Sequence, residues 1–212
     1  MEKIDYKKTY KGLYQPKQDP ALVMVPPICF MQIDGTGDPN ESGGEYQAAI
    51  EILYTLSYCV KMLPRKGVFP PGYFDYVVAP LEGLWWMKNE EAFDCSKKSD
   101  LCWTAMIRQP EFLTEELFAA VKQLVLEKKP ALAVDKASLK VFDEGLCVQC
   151  MHKGSFATEV LTLEKMKEYL VCNDYRLDLS TKRRHHEIYL SDPRKVAADK
   201  MKTVLRCPVA AR

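Results

Sequence analysis

One order of elements runs twice through this chain, and that recurrence constrains the fold more than any single residue does. In the first half, residues 21–33 read as a strand interrupted by Pro26-Pro27. The turn-rich segment Asp34-Gly35-Thr36-Gly37-Asp38-Pro39-Asn40 follows. Residues 45 to about 62 have helical periodicity, with Tyr46, Ala49, Ile50, Leu53, Leu56 and Val60 on one apolar stripe and Pro64 as the stop. Residues 73–79 read as a strand that Pro80 ends or kinks, and residues 101–107 as another. In the second half, residues 145–152 predict a strand, Lys153-Gly154-Ser155 a turn, and residues 158–171 a helix. That helix is expected to expose Glu159, Lys165 and Glu168 and to bury Val160, Leu163, Met166 and Leu170. Residues 181–190 and 202–207 then read as strands.

Both halves thus run strand, Gly turn, helix, strand, strand, with little identity between them. A helix over residues 110–129 joins them, with Thr114 as N-cap and Lys128-Lys129-Pro130 at its end. The expectation is an α+β fold: two tandem βαββ modules paired into one antiparallel sheet with helices on one face. We expect a single domain over residues 1–212: a first half at about 21–110, a connecting helix at about 111–130 and a second half at about 144–208. The first twenty residues read as an extended arm or capping segment. The open face of the sheet, or the groove between the halves, is left for a ligand.

Charge narrows the partners. The formal net charge is +1 and the isoelectric point about 7.5, which gives no general attraction to nucleic acid or anionic membranes. Lys182-Arg183-Arg184 is read as a solvated strand end. No apolar run is long enough to span a bilayer, and Met1-Glu2-Lys3-Ile4-Asp5 lacks a signal core, so the expected location is the cytoplasm. Eight cysteines in mostly apolar surroundings are then expected as buried thiols. Cys147-Val148-Gln149-Cys150 has CxxC spacing, but residues three apart on a strand point to opposite faces and do not converge.

The segment Arg183-Arg184-His185-His186-Glu187-Ile188-Tyr189-Leu190-Ser191-Asp192-Pro193 carries the clearest chemical signal. Alternation puts His185, Glu187, Tyr189 and Ser191 on one face and His186, Ile188 and Leu190 on the other, which looks like core. A carboxylate set mid-strand among apolar residues must be hydrogen-bonded, paired, neutralised or used on a ligand. Glu187 is the first catalytic candidate. Glu82, after Pro80-Leu81 and before Gly83-Leu84-Trp85-Trp86, is the second, either as a cavity carboxylate opposite Glu187 or as an exposed turn acid.

Trp85, Trp86 and Trp103 are candidates to stack on a flat or cationic ligand. One of the adjacent pair Trp85 and Trp86 is expected in the core and the other at the ligand. Tyr54 and Tyr58, four apart on the first helix, share a face and are candidate hydrogen-bond donors, as is Tyr76, with Tyr73 beside it. His185 and His186 face opposite ways, so a metal site would need a distant third ligand, and none is assigned. No cofactor is expected: Gly35-Thr36-Gly37 is followed by no phosphate-loop signature.

Five segments together resemble one family: Ile33-Asp34-Gly35-Thr36-Gly37-Asp38-Pro39-Asn40, Pro80-Leu81-Glu82-Gly83-Leu84-Trp85-Trp86, Trp103-Thr104-Ala105-Met106-Ile107-Arg108-Gln109-Pro110, Gln149-Cys150-Met151-His152-Lys153-Gly154, and His185 through Pro193. The chain resembles the GyrI-like small-molecule-binding family in its stand-alone form. The same module is similar to the effector domains of multidrug-responsive transcription activators. The resemblance implies pseudo-twofold symmetry between the βαββ modules and an aromatic ligand cleft between them. It also implies that the glutamate matching Glu187 faces a bound hydrophobic cation, and that some stand-alone members hydrolyse cyclopropane-bearing toxins.

Phe156 departs from the tyrosine of the family's H-x-G-x-Y pattern, so any role of that hydroxyl is absent or falls to Tyr189, Tyr54 or Tyr58. No helix-turn-helix precedes the first strand, so nucleic-acid binding by the chain itself is not expected. The resulting expectation is a binder of hydrophobic or cationic small molecules, with hydrolysis of cyclopropane-bearing toxins through Glu187 as what the resemblance implies. The alternative is a non-catalytic sequestering or regulatory protein, whose protein partner nothing in the sequence marks.

Overall fold

The computed structural model describes residues 3–88 and 98–212, so Cys95 lies outside the described residues. In chain order these form the single-turn helices α1 (Tyr6–Thr9) and α2 (Lys11–Tyr14), strands β1 (Ala21–Val25) and β2 (Ile28–Thr36), and helix α3 (Glu45–Lys61). Strands β3 (Leu81–Met87) and β4 (Leu101–Arg108), helix α4 (Glu115–Leu126), and strands β5 (Ser138–Phe142) and β6 (Gly145–Lys153) follow. Helix α5 (Glu159–Cys172) and strands β7 (Tyr175–Leu177), β8 (His185–Tyr189) and β9 (Lys202–Ala211) complete the fold. The α+β expectation holds, and the order β2-α3-β3-β4 recurs as β6-α5-β8-β9 with the short β7 inserted. No helix among the described residues is long and apolar enough to cross a membrane.

The chain divides into two compact units, each assembled from separate stretches of sequence. The first takes the N-terminal residues up to Tyr6, Ile28–Ala79 and the described part of Met87–Phe142. The second takes Lys7–Pro27, Pro80–Trp86 and Asp143–Arg212. Pro26-Pro27 is therefore more than an interruption within one strand. Lacking backbone donors, the two prolines end β1, which pairs with β6, and release β2 to pair with β4 and β5. The strand expected at residues 73–79 is also displaced. Only Tyr76 bridges there, to Ile4, and the strand proper begins after Pro80 as β3.

In the first unit, β2 lies between antiparallel β5 and β4. Helix α3 packs Tyr46, Ala49, Leu53, Leu56 and Val60 inward, as its stripe predicts. Thr114 caps α4: its hydroxyl accepts from the Leu117 backbone N–H at 3.2 Å. Trp103 lies fully buried beneath Gly35, where an added Cβ would sit 2.2 Å from the indole ring.

In the second unit, antiparallel strands run in the order β1-β6-β9-β8-β3, with β7 on the outer part of β9. Helix α5 covers one face through Met166 and Leu170 against Val148, Cys150, Leu205 and Cys207. Cys147 and Cys150 pair with Pro208 and Leu205, residues of opposite parity, so the two thiols face opposite ways as alternation requires. The phase of α5 departs from expectation, however. Glu159 is buried and Val160 is exposed.

The other face of this sheet holds a buried ionic cluster rather than the expected apolar core. His186 Nδ1 lies 3.0 Å from Glu144 Oε1, and its Nε2 lies 3.0 Å from Glu82 Oε2. A neutral imidazole has one N–H and cannot donate to two carboxylates, so His186 is an imidazolium here. Arg206 Nη1 donates to Glu144 Oε2 at 3.0 Å, and its Nε and Nη2 donate to Gln149 Oε1. The N-terminal arm closes the cluster: Leu13 O accepts from Arg206 Nη2 at 2.7 Å, Gly12 O accepts from Gln149 Nε2, and Tyr14 OH donates to Glu82 Oε1 at 3.1 Å. Two carboxylates and two cations thus compensate each other out of water.

Burial alone would raise the Glu144 carboxyl, but His186 and Arg206 outweigh it and hold it at about 2. Burial would likewise lower His186, and Glu144 and Glu82 outweigh it and raise it. A carboxyl whose folded value lies below its unfolded one contributes stability above the unfolded value and loses it on acidification. The contribution of Glu144, roughly 3 kcal/mol, should therefore be intact at neutral pH and disappear as pH falls from about 4.5 towards 2. Urea denaturation of the wild type and Glu144→Gln over that range checks this. The variant should be less stable at pH 7 and show a flatter acid slope, and an unchanged slope would remove Glu144 as its source.

Candidate functional site

The site follows from strand register. On β8 and its neighbours, Gly83 pairs with Glu187, Trp85 with His185, Leu205 with Glu187 and Thr203 with Tyr189. Paired residues share a face, so Glu187, His185, Tyr189, Trp85, Thr203 and Leu205 lie on the face that α5 covers. Glu82 pairs with Ile188 and lies on the opposite face, hydrogen-bonded to Tyr14 and His186 and 1 % exposed. This corrects the expectation that Glu82 and Glu187 share a cavity. Glu82 is neither an exposed turn acid nor Glu187's partner; it is one anion of the ionic cluster.

On the α5 face, hydrogen bonds form a continuous chain. Trp85 Nε1–H donates to the Tyr189 hydroxyl at 2.8 Å, and that hydroxyl donates to Glu187 Oε2 at 2.9 Å. Glu187 Oε1 lies 3.1 Å from His185 Nε2, and His185 Nδ1 lies 3.2 Å from Cys207 Sγ. Burial disfavours charge on His185, but the Cys207 sulfur and the Glu187 carboxylate outweigh it and raise His185 well above the ordinary imidazole range. Phe156, 44 % exposed, meets the Tyr189 ring edge-on at 5.9 Å. Of the hydroxyls considered for the missing tyrosine at 156, Tyr189 is the one beside that position.

The second carboxyl on this face is Glu159, in the first turn of α5. It is 8 % exposed, the Thr203 hydroxyl hydrogen-bonds it, and its Oε1 is buried without a hydrogen-bond partner. Burial, reinforced by the charge of Glu187, pushes it up to about 9. Sequence reasoning missed it because a glutamate beside Val160 reads as the solvated side of a helix. Arg206 and Glu144 were missed as well. A lone arginine inside the apolar run of β9 is the same signal that singled out Glu187.

The remaining candidates separate. Trp86 lies on the face of Glu82, half-buried, with the Arg184 guanidinium 4.7 Å over its ring. Trp85 is thus the indole on the face of Glu187. Trp103, Tyr54, Tyr58 and Tyr76 all belong to the first unit. Trp103 packs edge-on to Tyr46 at 4.9 Å, and Tyr76 packs among Tyr6, Phe74 and Phe112. Both are fully buried within the first unit. Tyr54 and Tyr58 stack on α3 with centroids 6.3 Å apart, Tyr58 being exposed.

Among the described residues no group of three His, Cys, Asp or Glu is arranged to hold a metal ion. An open groove of about 660 Å³ runs beside the start of α5, lined by Lys153, Ser155, Thr158, Leu161 and Lys165 among others, and it reaches neither Glu187 nor Glu159.

Gly83 makes the chain of hydrogen bonds possible. A Cβ there would sit 2.7 Å from Trp85 Nε1 and 3.1 Å from the Tyr189 hydroxyl. Gly83→Ala should therefore separate that pair, at a cost of ~1–3 kcal/mol. A shifted Trp85 indole N–H resonance and a lower urea midpoint are the expected readouts, and a variant unchanged in both would place the pair elsewhere.

Comparison with known proteins agrees with this architecture. The family model described as the GyrI-like small molecule binding domain matches residues 18–210. A conserved, uncharacterised protein of Listeria innocua is 44 % identical, with a TM-score of 0.93, over 98 % of this chain and 100 % of that one. A hydrolase of Listeria innocua is 42 % identical, with a TM-score of 0.91, over 99 % of this chain and 100 % of that one. The C-terminal domain of EcmrR shares the fold at 12 % identity and a TM-score of 0.55, over 92 % of this chain and 98 % of that one. Among curated proteins, none matches. The chain belongs to the GyrI-like small molecule binding domain family.

Proposed function

We propose that this protein is a cofactor-free hydrolase that adds water to small, apolar electrophiles bearing a strained ring, with activated cyclopropanes as the substrate class. The observation that carries this reading is the setting of Glu187: a carboxylate on a buried strand, gripped at one oxygen by the Tyr189 hydroxyl and at the other by His185. Similarity to the Listeria innocua hydrolase supports it, as does the aromatic flank of Trp85, Tyr189 and Phe156.

In the proposed reaction Glu187 takes a proton from water as the water oxygen bonds to a ring carbon. The carbon–carbon bond of the cyclopropane breaks, and its electron pair moves to the oxygen of a conjugated carbonyl, which takes up a proton. The net change is addition of one water. Ring strain drives the bond cleavage, so general-base help of ~10²–10⁴-fold is the scale the site must supply. Tyr189, itself held by Trp85, fixes the carboxylate's direction from one side, and His185 fixes it from the other.

Mass spectrometry on a panel of cyclopropane-bearing electrophiles tests this. Wild type should yield the water-added product, Glu187→Gln should lose at least ~100-fold while keeping its circular dichroism, and Tyr189→Phe should lose less. Saturable binding with substrate recovered intact from the wild type would instead make the protein a sequestering module. Undiminished turnover by Glu187→Gln would remove Glu187 as the base.

A further inference from the structure

Water addition needs a proton donor as well as a base, and the carboxyl expected to serve, Glu82, is on the wrong face of the sheet and already held by His186 and Tyr14. We infer that Glu159 is the proton donor of this site, delivering its proton to the substrate oxygen that receives the electron pair as Glu187 deprotonates the attacking water. The inference rests on the hydrolase reading above and deepens it.

Three observations carry it. The first is position: Glu159 begins α5, the helix packed on the face that carries Glu187, and its charge is felt by Glu187 and His185. The second is burial with one oxygen unused. The Thr203 hydroxyl engages the carboxyl, yet Oε1 is buried with no hydrogen-bond partner. A buried polar atom left unpaired is costly and rare enough in native folds to require a reason. The third is the local break in pattern: α5 buries a glutamate in its first turn while the adjacent Val160 and Leu161 face solvent. A helix built only for packing would reverse that choice.

The electrostatics agree. The charged groups facing Glu159 are Glu187 and His185, both from β8, while β9 contributes the neutral Thr203 hydroxyl. Burial and the negative charge of Glu187 hold the Glu159 carboxyl in its protonated form up to about pH 9. A carboxyl held protonated by burial, set near a carboxylate that accepts hydrogen bonds, is placed to act as the acid beside a base. The balance closes. Water gives one proton to Glu187, Glu159 gives one to the carbonyl oxygen, and the proton on Glu187 then returns to Glu159, directly or through water.

The test uses the full chain and the same electrophile panel. Infrared spectroscopy of the wild type at pH 7 should show a protonated-carboxyl band that is absent from Glu159→Gln and titrates away near pH 9. Turnover by Glu159→Gln should fall ~100-fold or more. The wild-type rate should decline as pH rises through about 9, because the donor must carry its proton, and that decline should vanish in the variant. Thr203→Val is the second, gentler variant. It removes a hydrogen bond that favours the ionised form, so its alkaline decline should move to higher pH. A missing band, or Glu159→Gln with wild-type turnover and an intact alkaline decline while Glu187→Gln is inactive, overturns the donor role and leaves the hydrolase reading standing. Wild type that turns over no substrate overturns both.

Discussion

The buried ionic cluster of Glu82, His186, Glu144 and Arg206 sets the register on which the site depends. A strand's side chains alternate, so sliding β8 by one residue would exchange His186 and Glu187 between faces. A slip that brought Glu187 into the position of His186 would leave Glu144, Glu82 and Arg206 without the imidazolium that holds them together, and would put a third carboxylate in its place. Leaving such charges buried and uncompensated costs several kcal/mol, far more than a slip recovers. The ionic cluster thus pins Glu187 to the other face, although it never touches it. The N-terminal arm takes part in this, because Gly12, Leu13 and Tyr14 supply the last hydrogen bonds that the cluster requires.

On the α5 face the same strand meets a different environment. Glu187 is held by neutral donors at one end, Trp85 through Tyr189, and by His185 and Cys207 at the other. Gly83 opposite it keeps the space that Trp85 and Tyr189 occupy. Each of these residues is placed by β3, β8 or β9, elements whose backbones are tied into one sheet. Functional groups carried on strands are held more rigidly than groups on loops, and that rigidity is what a directed carboxylate needs.

Local pattern made much of this visible beforehand, and long-range pairing hid the rest. The repeated order of elements, the α3 stripe, the Thr114 cap and the alternation around Glu187 are all local, and each appears in the structure. Register between strands is not local. Nothing near Glu82 says whether it pairs opposite Glu187 or one residue along, so its face could not be read from its neighbours. The Pro26-Pro27 break was visible, but its consequence, a chain that leaves β6 as partner and pairs next with β5, depends on partners more than a hundred residues away. In α5 the apolar Val160 misled the periodicity by one position, which hid Glu159. Propensity and packing agree where a helix is only structural; they disagree here, where a buried carboxyl serves another purpose.

The two faces of the strands in the second unit solve the same problem in opposite ways. On one, each carboxylate has a cation within hydrogen-bonding distance, and protonating either carboxylate or deprotonating His186 breaks the set. On the other, two carboxyls and an imidazole share a buried region, and among the described residues no lysine or arginine is bonded to either carboxyl. Charge there is balanced by protons, which can move, and not by guanidinium, which cannot release one. A carboxyl kept protonated by burial beside a carboxyl anchored by hydrogen bonds is an arrangement with poor structural value and high chemical value. The ionic face gives the sheet its register, and that register leaves the opposite face free to hold a second buried acid beside Glu187.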